Sequence, residues 1–317
     1  MIQKIGFIGL GKMGLPMAKN LLISGFTVYG SDVNEAAIHE FQSYGGKPGY
    51  VTDWIHNVQS IILMLPSSKI VNQVIDQIID LYSSDQHTHQ EPLVIIDMSS
   101  SYPDETRKNF KKLTEKNIEF IDAPVSGGVK KAVTAQLTIM IGGPVESFTR
   151  CKRLLGSMGS NLFHVGPIGS GHLIKAINNY LSATHLLASC EAVQLLQRFD
   201  VEPEKAIHVF NHSTGRSGST EYKFPSFILT ESFDSGFSLE LLRKDLEMAN
   251  GLFLNAEAAT NLPQLVFDRF HEASVALDKD ADHTEIYQFV SSYLLRGKSN
   301  EKDSETISSS SNTSVGI

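Results

Sequence analysis

A lysine and an asparagine four residues apart have the side-chain types and the spacing for acid–base chemistry. Lys175 and Asn179 follow Gly169-Ser170-Gly171, a run typical of a capped helix start. The helix dipole and partial burial both disfavour a cation there, so we expect the pKa of Lys175 to be lowered. Such a lysine can donate and accept a proton near neutral pH, and Asn179 on the same helical face can hydrogen-bond a substrate hydroxyl or carboxylate. The alternative is a snorkelling lysine beside a polar patch at a domain junction.

A serine followed by two glycines offers groups that can hold an anion. Ser126-Gly127-Gly128 comes shortly after the strand-like run 119–124. The hydroxyl and the backbone N–H groups of this flexible turn can bind a carboxylate. A tight turn at the end of a strand is the alternative interpretation.

Three glycines near the N-terminus have the spacing of a dinucleotide-binding turn. An apolar run at 5–8 precedes Gly9, Gly11 and Gly14, and a helical pattern follows them. Gly9 suits a tight turn, Gly11 lets the backbone approach a pyrophosphate, and Gly14 lets helix and strand pack closely. The helix would also point its free N–H groups at the pyrophosphate. A glycine-rich turn in another kind of α/β protein is the alternative. The residues predicted to bind the cofactor here are Gly9, Leu10, Gly11, Lys12, Met13 and Gly14.

One carboxylate stands where a ribose-binding group is expected. Asp32 follows the strand-like run Thr27–Ser31 and lies eighteen positions after Gly14. That is close to the roughly 20-residue spacing of the carboxylate that binds an adenosine ribose. It would repel a 2′-phosphate, and no arginine follows in Val33-Asn34-Glu35. The sequence therefore favours NAD over NADP.

Alternating strand and helix patterns place these residues at one edge of a sheet. Further apolar runs lie at 60–65, 93–98, 119–124 and 137–143. Fully apolar strands separated by helical patterns are typical of a mainly parallel sheet that is covered on both faces. Ligands of such sheets bind beyond the carboxyl ends of the strands. Residues expected at those ends are Gly9, Asp32, Leu65, Pro66, Ser100 and the loop after Pro124.

Helical patterns dominate the second half of the chain. A long one covers about 171–199, and shorter ones cover 203–210, 239–254 and 262–276. We therefore predict an α/β fold with an N-terminal Rossmann-type doubly wound sheet in residues 1–168. An all-helical substrate and dimerisation domain would follow in residues 169–297, joined by the long helix. The serine-rich residues 298–317 have the composition of a disordered tail.

Composition excludes several classes of protein. Of the 317 residues, 41% are hydrophobic and 20% are charged, as in ordinary globular proteins, and the formal net charge of −8 gives no support for binding nucleic acid. The most apolar segment, 173–196, carries several polar and charged side chains, so we expect no membrane span.

The cysteine content and the start of the chain bear on the cellular compartment in which the protein is expected. Cys151 and Cys190 fit a reducing environment as packed apolar side chains. A strand begins almost at the first residue, which leaves no room for a signal peptide. We expect a cytoplasmic protein, or a mature organellar chain. The histidines are scattered without ligand spacing, so no metal is expected.

The opening motif, 9–21, resembles that of the β-hydroxyacid dehydrogenases, the 3-hydroxyisobutyrate dehydrogenase family. The resemblance recurs in order at Met64-Leu65-Pro66, Asp97-Met98-Ser99-Ser100, 122–128, 175–179, and from Phe237 through Lys244-Asp245-Leu246. It covers about residues 2–295. Ser100 stands where many members have threonine, which keeps the hydroxyl.

The resemblance implies a role for each matching residue. Lys175 takes the place of the catalytic lysine, and Asn179 and the Ser126-Gly127-Gly128 loop match positions that hold the substrate. Four residues match positions that line the nicotinamide half of the cofactor site: Leu65, Pro66, Ser100 and Lys244.

The activity implied by the resemblance is reversible hydride transfer between NAD and the carbinol carbon of a small β-hydroxy acid, with Lys175 as general acid–base. One alternative is an NAD(P)H-dependent reductase of succinic, tartronic or a related semialdehyde. Another is a non-catalytic nucleotide-binding protein. Arg216 either contacts a second acidic group on a larger substrate or is a solvated loop residue. A homodimer or homotetramer is expected.

Overall fold

The computed structural model describes residues 2–83 and 91–293. The chain divides into two compact units, residues 1–178 and 179–317. The division falls inside the long helix rather than ahead of it, because the first turn of that helix is hydrogen-bonded to the sheet unit. The predicted tail, 298–317, lies outside the described residues.

The first unit contains one sheet of mostly parallel strands. Its order is β3-β2-β1-β4-β5-β6-β8-β7, with β9 paired to β8. Strands β1 to β6 are parallel where they pair, whereas β8 runs antiparallel to β6 and to β7. The strands among the described residues are β1 Lys4–Ile8, β2 Thr27–Ser31, β3 Lys47–Pro48, β4 Ser60–Leu63, β5 Val94–Asp97, β6 Glu119–Asp122, β7 Val125–Ser126, β8 Thr138–Gly142 and β9 Asn161–Gly166.

Helices cover both faces of this sheet and form the second unit. The α-helices of the described residues are α1 Gly14–Ile23, α2 Glu35–Ser43, α3 Val51–Trp54, α4 Ser68–Ser83, α5 Pro103–Thr114, α6 Gly128–Val133, α7 Val145–Gly156, α8 Ser170–Gln197, α9 Pro203–Asn211, α10 Leu239–Asn255 and α11 Leu262–Ala276. Two short 3₁₀ turns span Ile55–Asn57 and His283–Glu285, and a π-helix spans Ser219–Ile228.

Alternate residues of the central strands belong to two separate hydrophobic cores. Ile62 and Ile96 pack into one core, while their neighbours Ile61 and Ile95 pack into the other. Because side chains of a strand alternate between faces, the two cores lie on opposite faces of the sheet. This burial on both faces explains why the strands are apolar throughout, and it confirms the doubly wound sheet.

The helices predicted for the second half are confirmed, with α8 ending two residues before the expected limit. Strand β9 and the π-helix are among the elements that were not predicted. Strand β9 is largely exposed and so lacks an apolar run, and the π-helix contains Pro225, a residue that normally interrupts a helical pattern. Among the described residues, no helix is long and apolar enough to cross a membrane.

Candidate active site

The carboxyl edge of the sheet gathers most of the predicted site residues of the first unit. Strands β2, β1, β4, β5 and β6 are parallel neighbours, so their carboxyl ends meet at one edge. Strand β7 is antiparallel to β8, which is antiparallel to β6, so β7 points the same way as β6. The glycine loop, Asp32, the Leu65-Pro66 turn, Ser100 and Ser126 therefore follow strands that end at this edge.

The geometry of the glycine loop fits a dinucleotide. Gly9 has a φ of 99°, and a Cβ there would overlap the Met64 carbonyl oxygen. A Cβ on Gly14 would overlap the Gly9 carbonyl oxygen, so the start of α1 can pack against the turn only with glycine. At Gly11, in contrast, a Cβ would meet no atom of the described residues within 4 Å. The loop thus leaves open space at the position expected to face the pyrophosphate.

The first turn of α1 provides the donors that such a pyrophosphate needs. Met13 precedes the helix and makes no side-chain capping hydrogen bond, and no acidic residue lies in the first turn. A helix start without a carboxylate presents its N–H groups and positive dipole end to an anion. These features are what a dinucleotide-binding loop requires.

Asp32 connects the end of β2 to the glycine loop. Its Oδ2 accepts a hydrogen bond from the Leu10 N–H at 2.5 Å, and its Oδ1 accepts one from the Asn34 N–H at 2.8 Å. Two backbone donors therefore hold the carboxylate beside the glycine loop. That placement suits a group that accepts hydrogen bonds from an adenosine ribose.

A hydrogen-bond network joins the turns after β4 and β5. The Ser99 hydroxyl accepts from the Leu65 N–H at 2.9 Å, and the Ser99 N–H donates to Asp97 Oδ1 at 3.0 Å. Asp97 Oδ2 accepts from the Ser101 hydroxyl at 2.8 Å. Ser100 lies between these two buried serines and is itself only partly buried. The network therefore holds Leu65, and with it the turn that continues into Pro66, beside Ser100.

The buried carboxylate of Asp122, the last residue of β6, fixes the start of α8. Its Oδ1 accepts from the Gly169 N–H at 2.7 Å and its Oδ2 from the His172 N–H at 2.9 Å. Asp122 thus caps the helix that carries Lys175. The run Gly169-Ser170-Gly171 predicted a capped helix start, but it did not indicate that the cap comes from Asp122. Its carboxylate also offsets part of the helix dipole, so the lowered pKa of Lys175 stays a prediction that rests on burial.

His172 adds a second connection between α8 and the sheet. Its Nδ1 lies 2.8 Å from the Thr106 hydroxyl, and its Nε2 lies 3.1 Å from the Ser99 carbonyl oxygen. The imidazole is fully buried. Nothing in the spacing of histidines distinguished it, because its partners come from distant segments of the chain.

The proposed anion-holding loop begins at the end of β7. Ser126 pairs with Thr138 of β8. Gly127 and Gly128 have φ values of 130° and 66°, in the left-handed region that favours glycine. The two glycines are therefore required for the turn itself, and Ser126 lies at its entrance.

The second unit brings together Asn179, Asp245 and Lys244. The buried Asn179 side-chain amide donates to Asp245 Oδ2 at 2.6 Å, and the Lys244 Nζ lies 3.7 Å from Asp245 Oδ1. The amide orientation follows from chemistry, because only the NH₂ group of Asn179 can donate to a carboxylate. Asp245 was noted in the sequence only as part of a motif, yet it is the group that orients Asn179.

The two cysteine thiols are packed side chains rather than nucleophiles. Burial raises the pKa of Cys151 to about 12 and also raises the pKa of Cys190. Both thiols therefore stay protonated near neutral pH, as expected of packed side chains. In the part of the chain that the structure describes, no group of three or more His, Cys, Asp or Glu side chains could hold a metal ion.

Two known families match consecutive parts of the chain. Residues 4–166 match the family described as the NAD binding domain of 6-phosphogluconate dehydrogenase. Residues 169–290 match the family described as NAD-binding of NADP-dependent 3-hydroxyisobutyrate dehydrogenase. The chain belongs to the β-hydroxyacid dehydrogenases.

Individual members of the β-hydroxyacid dehydrogenases are similar over most of their length. The chain is 37% identical to 2-(hydroxymethyl)glutarate dehydrogenase of Eubacterium barkeri, over 82% of this chain and 84% of that protein. It is 31% identical to the mitochondrial 3-hydroxyisobutyrate dehydrogenase of Homo sapiens, over 90% and 86%. The structure of Mycobacterium tuberculosis 3-hydroxyisobutyrate dehydrogenase with L-serine aligns with a TM-score of 0.84 and 26% identity, covering 92% of this chain and 99% of that one.

Membership confirms the fold and the class of activity. The chain is an oxidoreductase, a β-hydroxyacid dehydrogenase with a Rossmann domain that binds NAD and with a helical C-terminal domain. Its substrate is a small molecule.

Proposed function

We propose that this β-hydroxyacid dehydrogenase transfers a hydride between NAD and the carbinol carbon of a small β-hydroxy acid, with Lys175 as the general acid–base. The observation that carries the proposal is the Asp122 cap, which fixes the helix of Lys175 to the carboxyl edge of the sheet. The dinucleotide-fitting loop and Asp32 follow strands that end at the same edge.

Each residue of the proposed site has one task. On oxidation the neutral amine of Lys175 takes the hydroxyl proton, and on reduction its ammonium returns the proton to the carbonyl oxygen. The turn at Ser126 holds the substrate carboxylate, and Asn179, oriented by Asp245, hydrogen-bonds the substrate. The nicotinamide, when bound, accepts or supplies the hydride.

NAD is the proposed cofactor in preference to NADP. Asp32 is held beside the glycine loop by two backbone N–H groups, so its carboxylate cannot turn away from an adenosine ribose without losing both. A fixed negative charge there accepts hydrogen bonds from a 2′-hydroxyl and repels a 2′-phosphate. Residues Leu65, Pro66, Ser100 and Lys244 are proposed to contact the nicotinamide half.

The compounds named for the related proteins share one chemical skeleton. 3-Hydroxyisobutyrate, 2-(hydroxymethyl)glutarate and L-serine are all HOCH₂–CH(R)–COO⁻ and differ in the group R. We propose the same skeleton for the substrate of this chain, with the semialdehyde as the oxidised product. Reduction of tartronic semialdehyde is this reaction in reverse, whereas reduction of succinic semialdehyde gives a γ-hydroxy acid and stays a separate alternative. Initial rates in both directions decide which direction is faster.

The acid–base role is tested by substitution of Lys175. With a panel of such hydroxy acids and NAD, Lys175→Ala should lower kcat about 10²- to 10⁴-fold, the usual contribution of a positioned acid–base group. NADH formation gives the rate, and the NAD-induced shift in melting temperature shows that the cofactor still binds. Lys205, an exposed lysine paired with Glu202, provides the control Lys205→Ala. Undiminished turnover of Lys175→Ala would overturn the assignment.

A further inference from the structure

We propose that Lys223 forms a second anion site, which selects β-hydroxy acids whose group R carries its own carboxylate. The inference rests on the proposed function, which supplies the reacting end of the substrate. It assigns a chemical class to the group R.

Lys223 contacts α8 one turn beyond the substrate-holding Asn179. Its Nζ donates a hydrogen bond to Ser182 Oγ at 2.9 Å. Ser182 follows Asn179 by three residues, and Lys175 precedes Asn179 by four, so all three lie on one face of α8. The rise of about 1.5 Å per residue separates Lys175 from Ser182 by roughly 10 Å along the helix.

The ammonium of Lys223 has no carboxylate partner within ion-pair distance among the described residues; its hydrogen bond is to the Ser182 hydroxyl. Asp282 is the acid whose charge acts on it, but the oxygens of Asp282 already accept from other groups. These donors are the Ser235 hydroxyl, the Gly236 and Phe237 N–H groups, and the N–H and hydroxyl of Thr284.

The remaining titratable neighbours of Lys223 do not neutralise it. Cys190 on α8 is fully buried, and burial raises its pKa, so it is a neutral thiol near pH 7. Burial also lowers the pKa of His283, which keeps that imidazole neutral there. The ionised Asp282 is therefore the negative charge that acts on Lys223 within the helical unit, and it does so without direct contact with the ammonium.

Burial lowers the pKa of Lys223 to about 8, so most of the side chain is still protonated near pH 7. Some of its surface nevertheless remains accessible to solvent, which leaves room for a ligand group to reach it. An enclosed charge is costly to desolvate, and an anion that binds directly to it offsets that cost. Lys223 also belongs to the π-helix Ser219–Ile228, and π-helical turns are frequent at functional sites.

The other cation considered for a second acidic group is Arg216. The structure places it on the surface, 63% exposed and 3.5 Å from the exposed Glu221. An arginine that is solvated and already paired provides little selectivity for a substrate. Lys223, which is enclosed and lacks a carboxylate, is the better candidate.

The decisive experiment compares a diacid with a monoacid in variants that remove the charge. For native protein we expect a higher kcat/KM for 2-(hydroxymethyl)glutarate than for 3-hydroxyisobutyrate. Lys223→Gln, which can still donate to Ser182, and Lys223→Met should each lower kcat/KM for the diacid about 10- to 200-fold, as expected for a lost charge-assisted hydrogen bond. The value for the monoacid should change less than about threefold. Lys205→Met, at an exposed lysine of the same unit, should change neither.

The pH dependence provides an independent readout. Above about pH 8 Lys223 loses its proton, so the KM of native protein for the diacid should rise while the KM for the monoacid stays flat. In Lys223→Gln the KM for the diacid should no longer depend on pH in this range. Equal losses for both acids in the variants, or no loss for either, would overturn the proposal.

Failure of the anion site and failure of the proposed function give different results. If native protein oxidises neither acid, the proposed function fails, and the anion site is then tested by binding alone. Glutarate should raise the melting temperature of native protein but not of Lys223→Gln, with butyrate as the monoacid control. If native protein oxidises the monoacid and glutarate has no effect that depends on Lys223, the anion site alone is wrong.

Discussion

Gly11 and Gly14 lie three residues apart in one loop, but a methyl group added to each would meet different surroundings. At Gly14 it would overlap the Gly9 carbonyl oxygen, whereas at Gly11 it would meet no atom of the described residues within 4 Å. The first glycine is therefore available to a ligand, and the second is required by the fold. Substitution can separate these two reasons for having glycine.

We predict that one alanine variant loses NAD binding and the other loses stability. Gly11→Ala should leave the melting temperature of the free protein unchanged, because Gly11 is not in a left-handed conformation and has open space. It should, however, abolish most of the stabilisation by NAD, which reaches about 2.7 kcal/mol at 100 times Kd. Gly14→Ala should destabilise the free protein by about 1–3 kcal/mol through overpacking. Thermal scans with and without NAD measure both effects. An NAD-induced rise in melting temperature as large in Gly11→Ala as in native protein would contradict the placement of the pyrophosphate.

Asp32 combines a structural and a selective role, and the two can also be separated. Asp32→Asn keeps an oxygen that can accept from Leu10 or Asn34 but removes the charge that would repel a 2′-phosphate. We expect the ratio of kcat/KM for NADP to that for NAD to rise at least about tenfold, equivalent to about 1.4 kcal/mol. Initial rates with each cofactor give the ratio. Asp76→Asn, at an exposed ion pair with Lys112, is the control. Native protein that works better with NADP would contradict the interpretation of Asp32.

At the scale of elements, the long helix α8 depends on a single carboxylate from the sheet. Asp122 accepts hydrogen bonds from both Gly169 and His172 and is fully buried. Its removal would leave two buried N–H groups without a partner. Because Lys175 lies one turn further along, we expect stability and turnover to fall together.

For Asp122→Ala we predict a loss of about 2–4 kcal/mol in the free energy of unfolding, from a lost cap and two charge-assisted hydrogen bonds. Asp122→Asn keeps one acceptor and should lose less. The comparison variant is Asn34→Ala, which removes the exposed cap of α2 and should cost about 1 kcal/mol without a change in kcat. Urea denaturation and turnover measure both. An Asp122→Ala protein with native stability would show that the cap is unimportant.

The π-helix carries a charge that works against folding. The pKa of Lys223 is about 8, below the value of about 10.4 for an unfolded chain. Between these values the unfolded state binds more protons, so stability rises with pH and the cost of the charge is fully present below pH 8.

Lys223→Met should therefore raise the free energy of unfolding near pH 7 by about 1–3 kcal/mol, since each unit of pKa corresponds to about 1.4 kcal/mol. The gain should shrink as the pH rises from about 8 to about 10.4. Denaturation at several pH values gives this profile. A destabilised Lys223→Met protein at pH 7 would mean that packing and the Ser182 hydrogen bond outweigh the charge.

At the scale of the whole molecule, we expect two or four chains to associate. Large apolar side chains are exposed on two helices of the second unit, among them Leu254 at 65%, Leu265 at 50% and Val275 at 75%. Exposed apolar side chains of this size are frequent at interfaces between subunits. Light scattering should give twice or four times the 34.9 kDa of one chain. A mass of one chain at micromolar concentration would contradict this. The cytoplasmic location also stays a prediction.

Local sequence patterns predict most of the strands and helices, the mainly parallel sheet and the glycine loop with its carboxylate. These depend on local patterns: apolar runs for strands buried on both faces, a period of 3.6 residues for helices, and glycine where the backbone needs it. The roles of Lys175, Asn179 and the Ser126 loop stay predictions, because the residues and the family resemblance supply them.

The residues that hold those groups in place come from distant parts of the chain and are known only from the folded structure. Asp122 caps α8 through the N–H of a residue 47 positions later, and Asp245 orients an amide 66 residues before it. The folded structure also distinguishes two candidate cations for a second acidic group, because Arg216 is solvated and Lys223 is enclosed. Such contacts join segments that are far apart in the chain, so no periodicity or spacing encodes them, and burial is known only after the chain has folded.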